Sequence, residues 1–176
     1  KTILGRVGFF KGIHLYFDRH DGTAATIEEF IACFEDANNA DLSQFFLWYN
    51  QAGTPKVTVE QSYDNTTNSL TLKLKQKTEP TPGQAVKKPF HIPLRFGLVG
   101  RDGQDMSFHV DGGCPVTGSI IHLNQNEAVL TFSNLASRPV VSIGRNFSAP
   151  INLEMNVSLS EQKFLALFDS DYFNRW

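Results

Sequence analysis

The sequence predicts a mainly β protein: a β-sandwich preceded by a short three-helix segment and followed by the start of a further helix. Apolar residues recur at helical spacing as far as Gly53-Thr54-Pro55, and after Pro55 the repeat shortens to strand-like alternation. From Val57 to Met155, alternating runs then recur roughly every 8 to 12 residues with turn signals between them, the pattern of a sandwich.

The first helix rests on Phe9, Phe10, Ile13, Tyr16 and Phe17, one apolar stripe closed by Asp21-Gly22. Thr26 stands three residues before Glu29, a capping box, and Ile27, Phe30, Ile31 and Phe34 continue the second stripe. Asp41 with Gln44 repeats the device for a third helix through Leu42, Phe45, Phe46 and Tyr49, ended by Gly53 and Pro55.

Val57 and Val59, then Leu70, Leu72 and Leu74 across the Asp64 to Asn68 turn, predict a hairpin. Phe90 to Leu98, turned at Gly100 to Gly103 and answered by Met106, Phe108 and Val110, predicts a second. Ile121 and Leu123 with Ala128, Leu130 and Phe132 predict a third, and Val141, Ile143, Ile151, Leu153 and Met155 complete the series. Thr78 to Pro89 is too rich in proline for a central strand and reads as a crossover between sheets. Ser158 with Glu161 opens the last helix, whose Phe164, Leu165, Phe168 and Tyr172 share a face. The chain begins at Lys1 without Met and stops at Trp176 with this stripe still running, so a cut piece of a longer chain is expected.

A formal charge of −2, from 16 basic and 18 acidic residues, gives no electrostatic footprint for nucleic acid or an anionic membrane. No apolar run reaches the roughly 20 residues that span a bilayer. The two cysteines read as reduced bystanders, which favours the cytoplasm. Cys33 falls in a buried stripe; Cys114 is expected to be exposed in its Gly-Cys-Pro turn, and inert, because no Lys or Arg adjoins it to lower its pKa.

Zinc peptidase chemistry needs two His on one helical turn with a Glu between them, and no such motif occurs. His14 and His20 lie off a common face, and a strand-borne site from His91, His109 and His122 ranks far below ordinary surface histidines. Asp18-Arg19-His20-Asp21-Gly22 places His between carboxylates, a general-base arrangement, yet basic residues in a last helical turn and a terminating Asp-Gly weigh more as helix-end structure. Lys73, Lys75 and Lys77 share one strand face that could draw an acidic partner, although such lysines more often solvate a sheet.

The strings YFDRHDG (Tyr16 to Gly22), LSQFFLWYNQAGTP (Leu42 to Pro55) and KPFHIPLRFGL from Lys88 resemble bacterial aminopeptidase N, of the gluzincin zinc metallopeptidases, across essentially the whole chain. The resemblance implies three parts: residues 1–55, the C-terminal helices of a thermolysin-like catalytic domain; residues 56–157, an immunoglobulin-like sandwich; and residues 158–176, the start of a C-terminal helical domain. In that family zinc-bound water, a Glu base, a Gly-x-Met-Glu-Asn loop and a Tyr remove N-terminal amino acids from peptides. None of these maps here, so no catalytic, cofactor-binding or metal residue is carried over, and zinc is expected in the full-length enzyme alone.

The resemblance implies a non-catalytic fragment, inactive alone, that spaces the catalytic and helical domains; its partners are those domains and, through them, peptide substrates. The competing reading is an independent β-sandwich module that binds protein or carbohydrate.

Overall fold

The computed structural model describes residues 1–175. Trp176, the last residue of the closing stripe, lies outside the described residues. Two compact units form, one over Lys1–Gln51 and one beginning at Ala52.

In the first unit, α1 (Gly5–His20) and α2 (Ile27–Asn38) precede a short α3 (Leu47–Asn50). The buried residues of α1 are Gly8 and Gly12. A Cβ on Gly12 would stand 2.3 Å from the Phe34 ring, so glycine is what lets α2 seat an aromatic side chain against the α1 backbone. Asn38 Nδ2 donates to the Gly8 carbonyl at 2.9 Å across the same seam. The Thr26 box forms as predicted, with Glu29 N–H donating to Thr26 Oγ1 at 3.2 Å and Thr26 N–H to Glu29 Oε2 at 2.7 Å.

The third helix is shorter than its stripe predicts. Asp41 Oδ1 accepts from Ser43 N–H at 2.8 Å, an Asx turn at the point where the sequence predicts a capping box. The N–H groups of Leu47, Trp48 and Tyr49 then reach carbonyls three residues back, so tight turns take up residues that the apolar spacing assigns to α-helix.

In the second unit, β1 (Lys56–Asp64), β2 (Ser69–Lys77), β4 (His109–Gly112), β7 (Glu127–Ser133) and β9 (Asn152–Met155) make a five-stranded sheet in the order β4-β7-β2-β1-β9. The facing sheet runs β5-β6-β3-β8, from β3 (Ile92–Val99), β5 (Val116–Thr117), β6 (Ile120–Leu123) and β8 (Val140–Ile143). Between them lie Val57, Val59, Leu70, Leu72, Leu74, Ile92, Leu94, Phe96, Leu98, Ile121, Leu123, Leu130 and Phe132, all buried. The inward positions of every long run therefore alternate as the sequence requires. The rings of Phe96, Phe108 and Phe132 form a triangle with centroids 5.3, 5.4 and 5.2 Å apart, bridging the two sheets.

The first hairpin forms as predicted, β1 antiparallel to β2 with Tyr63 opposite Leu70. The second and third do not. After the Gly100 turn the chain touches β3 through Met106 N–H to Leu98 O at 2.8 Å, then crosses, and β4 pairs with β7. Likewise β6 pairs with β3 while β7 pairs with β2. Alternation sets which side chains face inward, but it leaves open whether a turn folds a strand back beside its neighbour or over to the opposite sheet. The proline-rich stretch does cross between the sheets; Lys87 Nζ steadies it through the Ala52 carbonyl at 2.9 Å and Thr81 Oγ1 at 2.6 Å.

Helix α4 (Leu159–Phe168) follows β9, capped as predicted by Ser158 and Glu161. Among the described residues, no helix is long and apolar enough to cross a membrane.

Candidate functional site

The densest polar constellation is buried in the second unit, around Arg145. Its guanidinium is fixed on three sides: Nη1 and Nη2 donate to Asp105 at 2.7 and 2.8 Å, Nη2 meets Asp169 Oδ1 at 2.9 Å, and Nε donates to Ser142 Oγ at 3.0 Å. Ser142 Oγ in turn donates to Asp169 Oδ2. Asn174 Nδ2 closes the set on Ser142 Oγ at 2.8 Å and on the Ile143 carbonyl at 3.1 Å. Burial opposes the Arg145 charge, but the Asp105 hydrogen bond and the fields of Asp169, Asp105 and Asp171 outweigh it, and its pKa rises.

Backbone shape makes room for this cluster. A Cβ on Gly97 would stand 2.1 Å from the guanidinium, so β3 admits the arginine across its outer face because that position has no side chain. Arg145 itself is carried on a tight turn in which Gly144, Asn146 and Phe147 have φ of +83°, +56° and +44°. For a bulky Phe that conformation costs of order 1–3 kcal/mol and persists where surrounding contacts over-determine it. The cluster therefore ties β8, the Asp102 to Asp105 turn and the segment after α4 into one piece. Beside it, a 580 Å³ open groove is lined by Leu167, Phe168 and Tyr172 with Asp102, Asp105, Ser170 and Arg175; the Ser170 hydroxyl stands 3.5 Å from Asp105 Oδ2, the outer limit of a hydrogen bond.

A second polar point is a histidine pair. His91 Nε2 and His122 Nδ1 lie 3.0 Å apart and both rings are half-buried. Desolvation lowers both pKa values, and the neighbouring His122 charge helps bring His91 down to about 4. A folded-state pKa below the unfolded 6.5 means that the unfolded chain binds more protons between those values. Stability of the second unit should thus be full above pH 6.5 and decline as pH falls toward 4. Urea melts across that range check it: His91→Gln should flatten the decline, and an unchanged slope would sink the assignment.

The remaining sequence candidates are dispersed. His109 lies on β4 in the opposite sheet, 3.3 Å from Asp111, so the imagined three-histidine set is split. His14 is exposed on α1, and His20 packs on Tyr16 with centroids 5.5 Å apart. Arg19 pairs with Asp36 at 2.6 Å, and Asp21 N–H caps Phe17 O, which spends the Asp-Arg-His-Asp string on the helix end. Cys33 is fully buried. Cys114, expected at the surface, is instead 7% exposed, because the chain folds its turn back against β7 through Gly113 N–H to Val129 O, and burial raises its thiol pKa. Lys75 and Lys77 pair with Glu127 and Glu79, each at 2.6 Å, so the lysine face is partly neutralised. Among the described residues no group of three or more His, Cys, Asp or Glu could hold a metal ion, and the residues present do not fit the zinc of a metallopeptidase.

Residues 53–156 match the family described as a domain of unknown function, DUF3458, with an Ig-like fold. The chain belongs to the DUF3458 family. Over 175 residues this DUF3458 chain is 42% identical to aminopeptidase N of Escherichia coli K12, with 99% of the chain but 20% of that protein covered. It is 46% identical over 176 residues to aminopeptidase N of Caulobacter vibrioides, covering 100% of the chain and 19% of the relative. The crystal structure of Legionella pneumophila aminopeptidase A in complex with aspartic acid aligns with a TM-score of 0.81 at 26% identity, over 98% of this chain and 18% of that one. The chain thus spans about a fifth of the length of the curated relatives it matches, and is homologous to that part of aminopeptidase N.

Proposed function

We propose that this chain is a non-catalytic part of a zinc-dependent aminopeptidase that removes N-terminal amino acids from peptides, and that it spaces a catalytic domain from a C-terminal helical domain. The observation that carries the reading is the coverage: full-length similarity of this chain to aminopeptidase N, over about a fifth of each relative. In this reading residues 1–55 close the catalytic domain, 56–157 form the spacer and 158–176 open the helical domain. The Arg145 cluster suits such a role, since it fixes the segment after α4 to the sandwich. The partners are the enzyme's other domains and, through them, peptide substrates. The zinc belongs to residues outside this chain, and two reduced thiols agree with a cytoplasmic enzyme.

The test is substitution within an enzyme that includes this chain. His14→Gln, His20→Gln and His109→Gln should each leave zinc content and kcat for an alanyl amide within about twofold of the parent, because none of these groups would touch reacting atoms. A hundredfold fall in kcat at unchanged thermal stability would place one of them in the chemistry and overturn the reading.

A further inference from the structure

Helix α1 has two apolar faces and buries one of them. Gly8 and Gly12 lie against Asn38 and Phe34, and beside them Phe9 and Ile13 pack on the cluster of Ile31, Phe34 and Leu42. The stripe that the sequence predicts from Phe9 to Phe17 is thereby divided, because Phe10 and Phe17 turn outward. With Val7 and His14 they recur at a 3-4-3 spacing, on the side of the helix opposite Gly8 and Gly12. Val7 is 72% exposed, Phe10 45% and Phe17 56%, and His14 between them is exposed as well. A repeat of that period is the seam into which a second α-helix locks its own side chains.

Charge along this face is one-sided. Arg6 and Lys11, both exposed, flank the stripe over the N-terminal half of α1, where the helix dipole favours acidic groups. The first turn of α1 has no acidic residue and its N-terminus no side-chain cap, unlike α2 with Glu28 and Glu29 and α4 with Glu161. The Arg6 guanidinium lies 5.9 Å from the Phe10 ring centre, and neither Arg6 nor Lys11 forms an ion pair with another described residue. Arg19, by contrast, turns away from the stripe to Asp36.

We propose that the Val7, Phe10, His14 and Phe17 stripe is the docking face for one amphipathic α-helix that brings carboxylates to Arg6 and Lys11. The inference rests on the peptidase reading, in which that helix comes from the part of the enzyme outside this chain. There is ample sequence to supply it, since this chain spans about a fifth of the curated relatives. The apolar seam holds the partner and the two cations fix its register and direction.

The experiment places Val7→Cys or Phe17→Cys in this chain and in an enzyme that includes it, and follows labelling by a maleimide, with the urea-unfolded protein as reference rate. The two native thiols, Cys33 and Cys114, are buried. Both new cysteines should label rapidly in the isolated chain and at least about tenfold more slowly in the enzyme. Arg6→Glu with Lys11→Glu, added to Val7→Cys, should raise the rate in the enzyme about threefold, and an unchanged rate would overturn the acidic partner. Zinc content and turnover of the same preparation report separately on the peptidase reading. An active enzyme whose cysteines label as fast as in the isolated chain overturns the docking face and leaves the spacer role standing. An extended form without zinc and turnover overturns that role, and with it the source of the helix. Labelling of the isolated chain that slows as its concentration rises would assign the stripe to a second copy, and would overturn the proposal too.

Discussion

Arg145→Ala should destabilise the sandwich unit by about 3 to 5 kcal/mol, the cost of leaving a buried charge without its partner. Asp169 is 1% exposed and faces the guanidinium at 2.9 Å, so truncating Arg145 strands a carboxylate that water cannot reach. It also empties the space beneath Gly97 and removes the bonds that hold the left-handed turn at Asn146 and Phe147. Replacing Arg145 by Met and Asp169 by Leu together should recover part of the loss, since an apolar pair has no desolvation to repay. Urea denaturation of the single and double variants measures both. A loss below about 1 kcal/mol for Arg145→Ala would show that the cluster is solvated and holds nothing together.

Phe96→Ala should cost a similar amount, about 3 to 5 kcal/mol, by a different mechanism. Its ring is fully buried and meets both Phe108 and Phe132, so truncation opens a cavity between the two sheets. Phe108 is half-buried on the segment that crosses between sheets, so Phe108→Ala should cost less. Thermal and urea melts of the two variants rank them; the reverse order would move the centre of the core away from β3.

The difference between these two predictions marks what the sequence makes legible. Phe96 is inward by parity with Ile92, Leu94 and Leu98, and the same parity from Leu70, Leu72 and Leu74 points Gln76 inward, where it is indeed buried. The helix caps at Thr26 and Ser158 are equally readable, because a capping box is a local device. Strand partners are not: the turns after Val99 and Leu123 look like hairpin turns, and only packing of the whole unit sends β4 and β7 to the opposite sheet. The Arg145 cluster is hidden for the same reason. Asp105, Ser142, Asp169 and Asn174 are scattered along the chain, and nothing at position 145 marks it as buried until Gly97 is seen to make room for it. His91 and His122 come forward from the sequence as strand histidines, but their separation, and the exclusion of His109, follow from the register of β3 with β6.

In the proposed function these residues contribute structure to a peptidase and none of its chemistry. It is tested most directly by measuring zinc content and hydrolysis of alanyl and leucyl chromogenic amides, for this chain and for a form extended upstream. This chain should show neither stoichiometric zinc nor turnover, and the extended form should show both. Turnover by this chain alone, with zinc bound at one equivalent, would contradict it.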